Sequence, residues 1–203
     1  MFALKRMEAS EEDSVKLVAY TIILYISSFF VPFIVVAAYQ SLVYYSRSQW
    51  FFATPFSAYV AFMGGMLYIA ALLTVYLILR QKWEGAKLKL KLVIGVFAVL
   101  SIPVFLLSLT NYYYVDDKGI HYNQLISFQE AEYKWEKIET VNVIYRNQQG
   151  TTSYYQYKFE LANGSTVTLP YNGKFNENRW RINAKIEQYQ IKEKDNFDNP
   201  IMD

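Results

Sequence analysis

His121 is the only histidine in a chain of 203 residues that has no cysteine. A catalytic triad, a zinc site or an imidazole proton relay needs further ligands or a base at workable spacing. None is identifiable around His121, which falls in an expected strand just after a turn and reads as an ordinary surface or half-buried side chain. The missing cysteines remove disulfides, thiolate metal ligands and thiol nucleophiles together. Asp116 and Asp117 are adjacent carboxylates that could in principle share general acid–base work. Lys118 and Gly119 complete a solvated turn around them, which is the simpler reading. No glycine-rich loop suited to phosphate is present, and Gly64-Gly65 lies inside an apolar run where glycine serves helix packing. The expectation is therefore a non-enzymatic protein without catalytic, cofactor-binding or metal-ligating residues.

Aromatic side chains, at 18% of the chain, are the unusual feature. Tyrosine offers a large contact area with a polar tip, which suits recognition. In the segment Tyr154–Leu161 strict alternation puts Tyr155 and Tyr157 on the core face. Tyr154 and Tyr171 are left as the candidate binding surface.

The elements that must position these residues fall into two kinds. Apolar residues make up 53% of the chain and charged residues 19%, but the two are segregated, with most of the apolar mass before Thr110. Three runs, at about 17–42, 58–79 and 90–109, have the roughly 20 residues that a helix needs to cross a bilayer. Such runs are sensible only as helices, because lipid cannot satisfy backbone polar groups. The first is too long for a cleavable signal and reads as a retained anchor. Pro32, Pro103 and Gly64-Gly65 imply kinks or close packing. None of the runs has an ionisable residue deep within it, which argues against a pump or channel. Trp50, Phe51, Phe52, Trp83, Tyr112, Tyr113 and Tyr114 flank the runs as expected interfacial anchors.

Lys5, Arg6 and Lys16 precede the first run, and Arg80, Lys82, Lys87, Lys89 and Lys91 crowd the second connection. Arg47 and Lys118 stand almost alone elsewhere. By the positive-inside rule the N-terminus is cytoplasmic and, after three crossings, the C-terminal domain is extracytoplasmic. A re-entrant third run would reverse that placement. A net charge of +2 supplies no basic groove for nucleic acid.

After the third run the period becomes two. Strands are expected at 112–115, 120–125, 132–135, 138–145 and 154–161. For the hairpin at Ala162-Asn163-Gly164, a two-residue loop would set Val167 opposite Glu160. A three-residue loop with Gly164 left-handed instead pairs Phe159 with Val167 and Tyr157 with Leu169, matching apolar faces. Helical spacing then returns at 177–191, with Asn176 as expected N-cap and Trp180, Ile182, Ile186 and Tyr189 near the buried face. The expected division is a polar segment 1–16, a three-helix transmembrane region 17–110, a soluble domain 111–191 and a frayed polar tail 192–203.

The strings Asp116-Asp117-Lys118-Gly119-Ile120-His121-Tyr122, Tyr133–Val141 and Tyr157–Phe175 resemble the bacterial membrane-anchored pleckstrin-homology-like proteins, including the YcxB-like group. The resemblance implies an α+β soluble domain, a β-barrel or sandwich capped by a C-terminal helix, carried on an α-helical membrane anchor. It also implies a cytoplasmic domain on two spans, from which three expected spans depart. The functional expectation is a membrane-tethered binding module of a bacterial envelope, with the bilayer and a peptide or membrane protein as partners. Two alternatives stand beside it: an immunity protein against a membrane-active bacteriocin or toxic peptide, and an accessory subunit of a transporter or signalling complex. Phosphoinositide binding is not carried over, because the first strands have no tight Lys/Arg cluster.

Overall fold

In the computed structural model the described backbone covers residues 2–82, 87–127 and 129–202, with side chains described for these except 2–13, 81, 82 and 87. Trp83, one of the expected anchors, lies outside the described residues. The chain divides into a helical unit (Met1–Tyr44, Thr54–Asn111, Leu125–Phe128) and a strand-rich unit (Tyr45–Ala53, Tyr112–Gln124, Gln129–Asp203).

The helical unit contains α1 (Phe2–Ser27), α2 (Val31–Val43), α3 (Phe56–Lys82), α4 (Lys87–Val99) and α5 (Ile102–Thr110). Pro32 and Pro103 each sit in the first turn of a helix, where the missing N–H has no intrahelical partner to lose. They mark the breaks between α1 and α2 and between α4 and α5. Two helical stretches, Phe56–Arg80 and Leu88–Thr110, are long and apolar enough to cross a membrane, and the bent pair α1–α2, at 65°, makes a third if it forms one span. Ile34 is 70% exposed and Leu42 86% exposed, so these helices turn aliphatic surface outward, as lipid-facing helices do. Gly65 has the packing role its setting implies: a Cβ there would come within 2.7 Å of the Phe105 ring.

One polar residue inside the first apolar run was not singled out by the sequence. Gln40 is fully buried. Its amide Nε2 lies within hydrogen-bonding distance of the carbonyls of Ser108 (3.1 Å), Leu109 (3.2 Å) and Asn111 (2.9 Å), and its Oε1 accepts from Thr54 Oγ1 at 2.8 Å. It satisfies carbonyls at the end of α5 that have no intrahelical donor.

The strand-rich unit has two open sheets around one core. In the first, β1 (Phe51–Ala53), β2 (Tyr112–Val115), β3 (Gly119–Asn123) and β4 (Ala131–Lys134) run antiparallel in that order. The second has the order β7-β6-β5-β8, from β5 (Ile138–Gln148), β6 (Thr151–Leu161), β7 (Thr166–Pro170) and β8 (Lys192–Asp195); β9 (Ile201–Met202) also pairs with β5. A short 3₁₀ turn, Trp135–Lys137, links the sheets, and α6 (Gly173–Gln188) follows β7. Phe51, Val115 and Trp135 join Tyr157, Phe159, Phe175 and Ile182 in a single buried cluster. Among the described residues neither sheet closes on itself into a barrel.

The hairpin register follows the three-residue expectation: Phe159 faces Val167, Tyr157 faces Leu169, and Gly164 has φ +80°. Other expectations are corrected. The residues around Trp50 and Tyr112–Tyr114 are not free interfacial anchors, because Phe51–Ala53 and Tyr112–Val115 are paired strands. The helix starts a turn early: Asn172, extended at φ −132°, accepts from the Phe175 N–H and is the N-cap. Asn176 instead accepts from the Tyr171 hydroxyl. Trp180 is 66% exposed, and Phe175, Ile182 and Ile186 form the buried face. The tail is not frayed, since Lys192–Asp195 and Ile201–Met202 pair in parallel with β5.

Candidate functional site

The strand-rich unit brings its potentially reactive side chains together in two places. The first surrounds His121. Pairing of β2 with β3 sets Tyr114 opposite His121, and the two rings stack with centroids 4.3 Å apart. Asp116, in the β2–β3 turn, accepts from the Lys118 and Gly119 N–H groups at 2.8 and 3.1 Å. The same Oδ1 lies 3.3 Å from His121 Nε2, without the alignment of a hydrogen bond. On the other side of the ring, Nδ1 is 3.0 Å from Glu130 Oε1. Glu130 also accepts from the hydroxyls of Tyr112 (2.8 Å) and Tyr114 (3.0 Å). Burial, and then the hydrogen bond to Glu130, push the Tyr114 phenol well above its ordinary range.

This string can hold a proton, but its geometry is that of a structural clasp. His121 is only 6% exposed, and the two carboxylates address opposite nitrogens of one ring, so they cannot converge on one metal ion. Asp116 and Asp117 do not act as a pair. Asp117 turns outward to an ion pair with Lys185 of α6 at 2.8 Å. Sequence reading missed Glu130, which lies in an irregular segment before β4 where no periodicity marks it.

The second place is an aromatic face on β5 and β6. A register shift between Ile144 and Tyr145 leaves Tyr155 without a partner in β5, since Ile144 pairs with Gln156 and Tyr145 with Tyr154. Such a bulge reverses the alternation beyond it. Tyr154 therefore joins Tyr157 on the inner side, with rings stacked 6.3 Å apart. Tyr155 is exposed instead, with the Arg146 guanidinium 4.5 Å from its ring centre. This corrects the assignment of Tyr155 to the core.

Tyr154 and Tyr171 do meet, with ring centres 4.8 Å apart, and both are half-buried. Tyr145 and Phe197 extend the row, at 4.7 Å from Tyr154 and 5.1 Å from Tyr145 respectively. Arg179 of α6 donates to the Tyr154 hydroxyl at 2.8 Å. A hydrogen bond from Tyr145, with Arg179 contributing, holds the Tyr154 phenol below its usual range. Burial pushes Tyr145 up and raises Tyr157 to about 12. The inner hydroxyls are thus occupied by internal bonds, while ring faces and the Tyr155–Arg146 pair remain at the surface. Aromatic faces edged with guanidinium suit contact with peptide side chains and planar polar groups.

Compared with models of known families, with curated proteins and with solved structures, the chain matches none of them.

Proposed function

We propose that this chain is a membrane-tethered, non-enzymatic binding module of a bacterial envelope, in which the helical unit is the anchor and the strand-rich unit receives a peptide or protein. The observation that carries the reading is the exposed Tyr155 ring with the Arg146 guanidinium 4.5 Å from its centre, on the side of the sheet opposite the row Tyr145–Tyr154–Tyr171. Aromatic and arginine side chains are the residues from which protein contact sites draw most of their energy.

A pleckstrin-homology-like architecture fits the same unit. The support is a strand-rich core covered by one amphipathic helix near its C-terminal end, through Phe175, Ile182 and Ile186. Two departures mark it: β1 comes from the connection between α2 and α3, and β8 and β9 follow the helix.

An extracytoplasmic placement is favoured by the pairing of β1 with β2. That pairing supports a common side for the α2–α3 connection and the strand-rich unit, with α3 and α4–α5 as a pair of crossings between them. The adjoining ends of α3 and α4, with Arg80, Lys89 and Lys91, would then face the other side, which positive charge marks as cytoplasmic. The placement is the same whether or not α1 and α2 cross.

The test is a photoreactive side chain at position 155 of the full chain in its native membranes. A discrete adduct that Arg146→Ala abolishes is the expected result. No adduct, or one indifferent to that change, would refute the site.

A further inference from the structure

After α6 the chain returns to the second sheet and lies along the outer edge of β5. There β8 pairs with residues 140–143 and β9 with Arg146 and Asn147, both in parallel. Between them the Asn196 side chain takes the place of a strand. Its Oδ1 accepts from the Tyr145 N–H at 2.6 Å, and its Nδ2 donates to the Tyr145 carbonyl at 3.2 Å. Phe197 then sets its ring edge-on to Tyr145, with centres 5.1 Å apart.

Little side-chain burial backs this contact. Ile191 is buried at its start, but all four residues of β8 and both of β9 are exposed. Parallel pairing is also the slightly weaker kind per residue. The register adds a mismatch. Glu193 lies beside Val141, and Asp195 beside Val143, and neighbours across a strand pair share a face of the sheet. Val141 and Val143 are core residues, and Tyr145, two positions on, packs on the same core beside Tyr154. The tail therefore puts two carboxylates on the side of the sheet that offers valines and tyrosine rings.

Inward-pointing charge is one way in which an edge strand is guarded against other chains. A guard needs no fixed register, however, and Asn196 fixes one on Tyr145. An added strand takes its affinity from main-chain bonds and its specificity from alternate side chains. The tail has the first and, with carboxylates at both inner positions, lacks the second. A strand with apolar residues at those positions would bury them and keep every backbone bond.

We infer that the outer edge of β5 is a docking site for an extended segment of a partner protein. That segment displaces residues 192–202, carries apolar side chains where the tail has Glu193 and Asp195, and follows them with an asparagine on Tyr145. The tail is the resident competitor: joined to α6, it excludes segments that match the edge no better than it does. This edge is separate from Tyr155 and Arg146, which face the opposite side of the sheet, so either site can fail alone.

The experiment uses the full chain in an uncharged detergent and three labelled synthetic peptides. These are the natural sequence 190–203, the same with Glu193→Val and Asp195→Val, and the doubly substituted peptide with Asn196→Ala added. The doubly substituted peptide is expected to bind roughly tenfold more tightly than the natural one. Adding Asn196→Ala should weaken it by roughly tenfold. Hydrogen exchange on the unaltered chain then locates the contact. With the doubly substituted peptide bound, amides of 192–195 should lose protection while those of 140–147 keep theirs. No binding, binding with 192–195 still protected, or indifference to Asn196→Ala would overturn the site. Equal binding of the natural peptide would overturn the apolar partner and leave exchange of tails between copies of this chain.

Discussion

Two carboxylates share the single imidazole at His121, and the consequence is a stability claim. Replacing His121 by Leu would leave Glu130 Oε1 and Asp116 Oδ1, now 3.0 and 3.3 Å from the ring, beside an apolar group. Both oxygens keep other donors, from Tyr114 and from the Lys118 and Gly119 N–H groups. Because neither oxygen is stranded, the expected loss is about 0.5–1.5 kcal/mol, the net contribution of one hydrogen bond, read as a lowered denaturant midpoint of the full chain in detergent. A variant as stable as the parent would show that the clasp contributes nothing. The clasp illustrates why sites are harder to read than strands. His121 and Asp116 stand in a turn-and-strand pattern that sequence periodicity can place, but Glu130 comes from a segment with no period. At Tyr154 and Tyr155 the failure is sharper, because one unpaired residue inverts the inside and outside of everything beyond it.

At the level of elements, α6 separates what periodicity can and cannot assign. Ile182 and Ile186 fall on the buried face as their spacing implies, whereas Trp180, judged by size and proximity, is largely exposed. Trp180→Ala should therefore change stability by about 0.5 kcal/mol or less, while Ile182→Ala should cost about 2–5 kcal/mol. Equal losses in chemical denaturation would mean that α6 is rotated from this arrangement. The hairpin β6–β7 was legible because apolar partners agree in only one register. The parallel pairing of β8 and β9 with β5 was not, since Lys192–Asp195 is polar throughout and its partner is distant in sequence.

For the molecule as a whole, the two sides of the membrane can be read with single cysteines in the natural cysteine-free background. A cysteine replacing Gln149, at the exposed tip between β5 and β6, should react with an impermeant maleimide on intact cells. One replacing Lys89, in α4, should react only after lysis. The reverse pattern would place the strand-rich unit in the cytoplasm and would favour a signalling partner over an envelope one. The apolar runs made the helical unit legible, whereas no composition rule could show that the first connection belongs to the sheet.

That connection also governs how the protein is made. During synthesis β1 emerges three helices ahead of β2, its ladder partner, so the first sheet stays unfinished until α3, α4 and α5 have been made. Until then Phe51, a core residue, waits without a core. The same fact bears on proteolysis and on gene fusion. A cut at Asn111 would release a piece lacking its outermost strand, with the edge of β2 bare and ready to pair with another chain. One cut between α5 and β2 cannot free the strand-rich unit whole, because β1 stands on the far side of three helices.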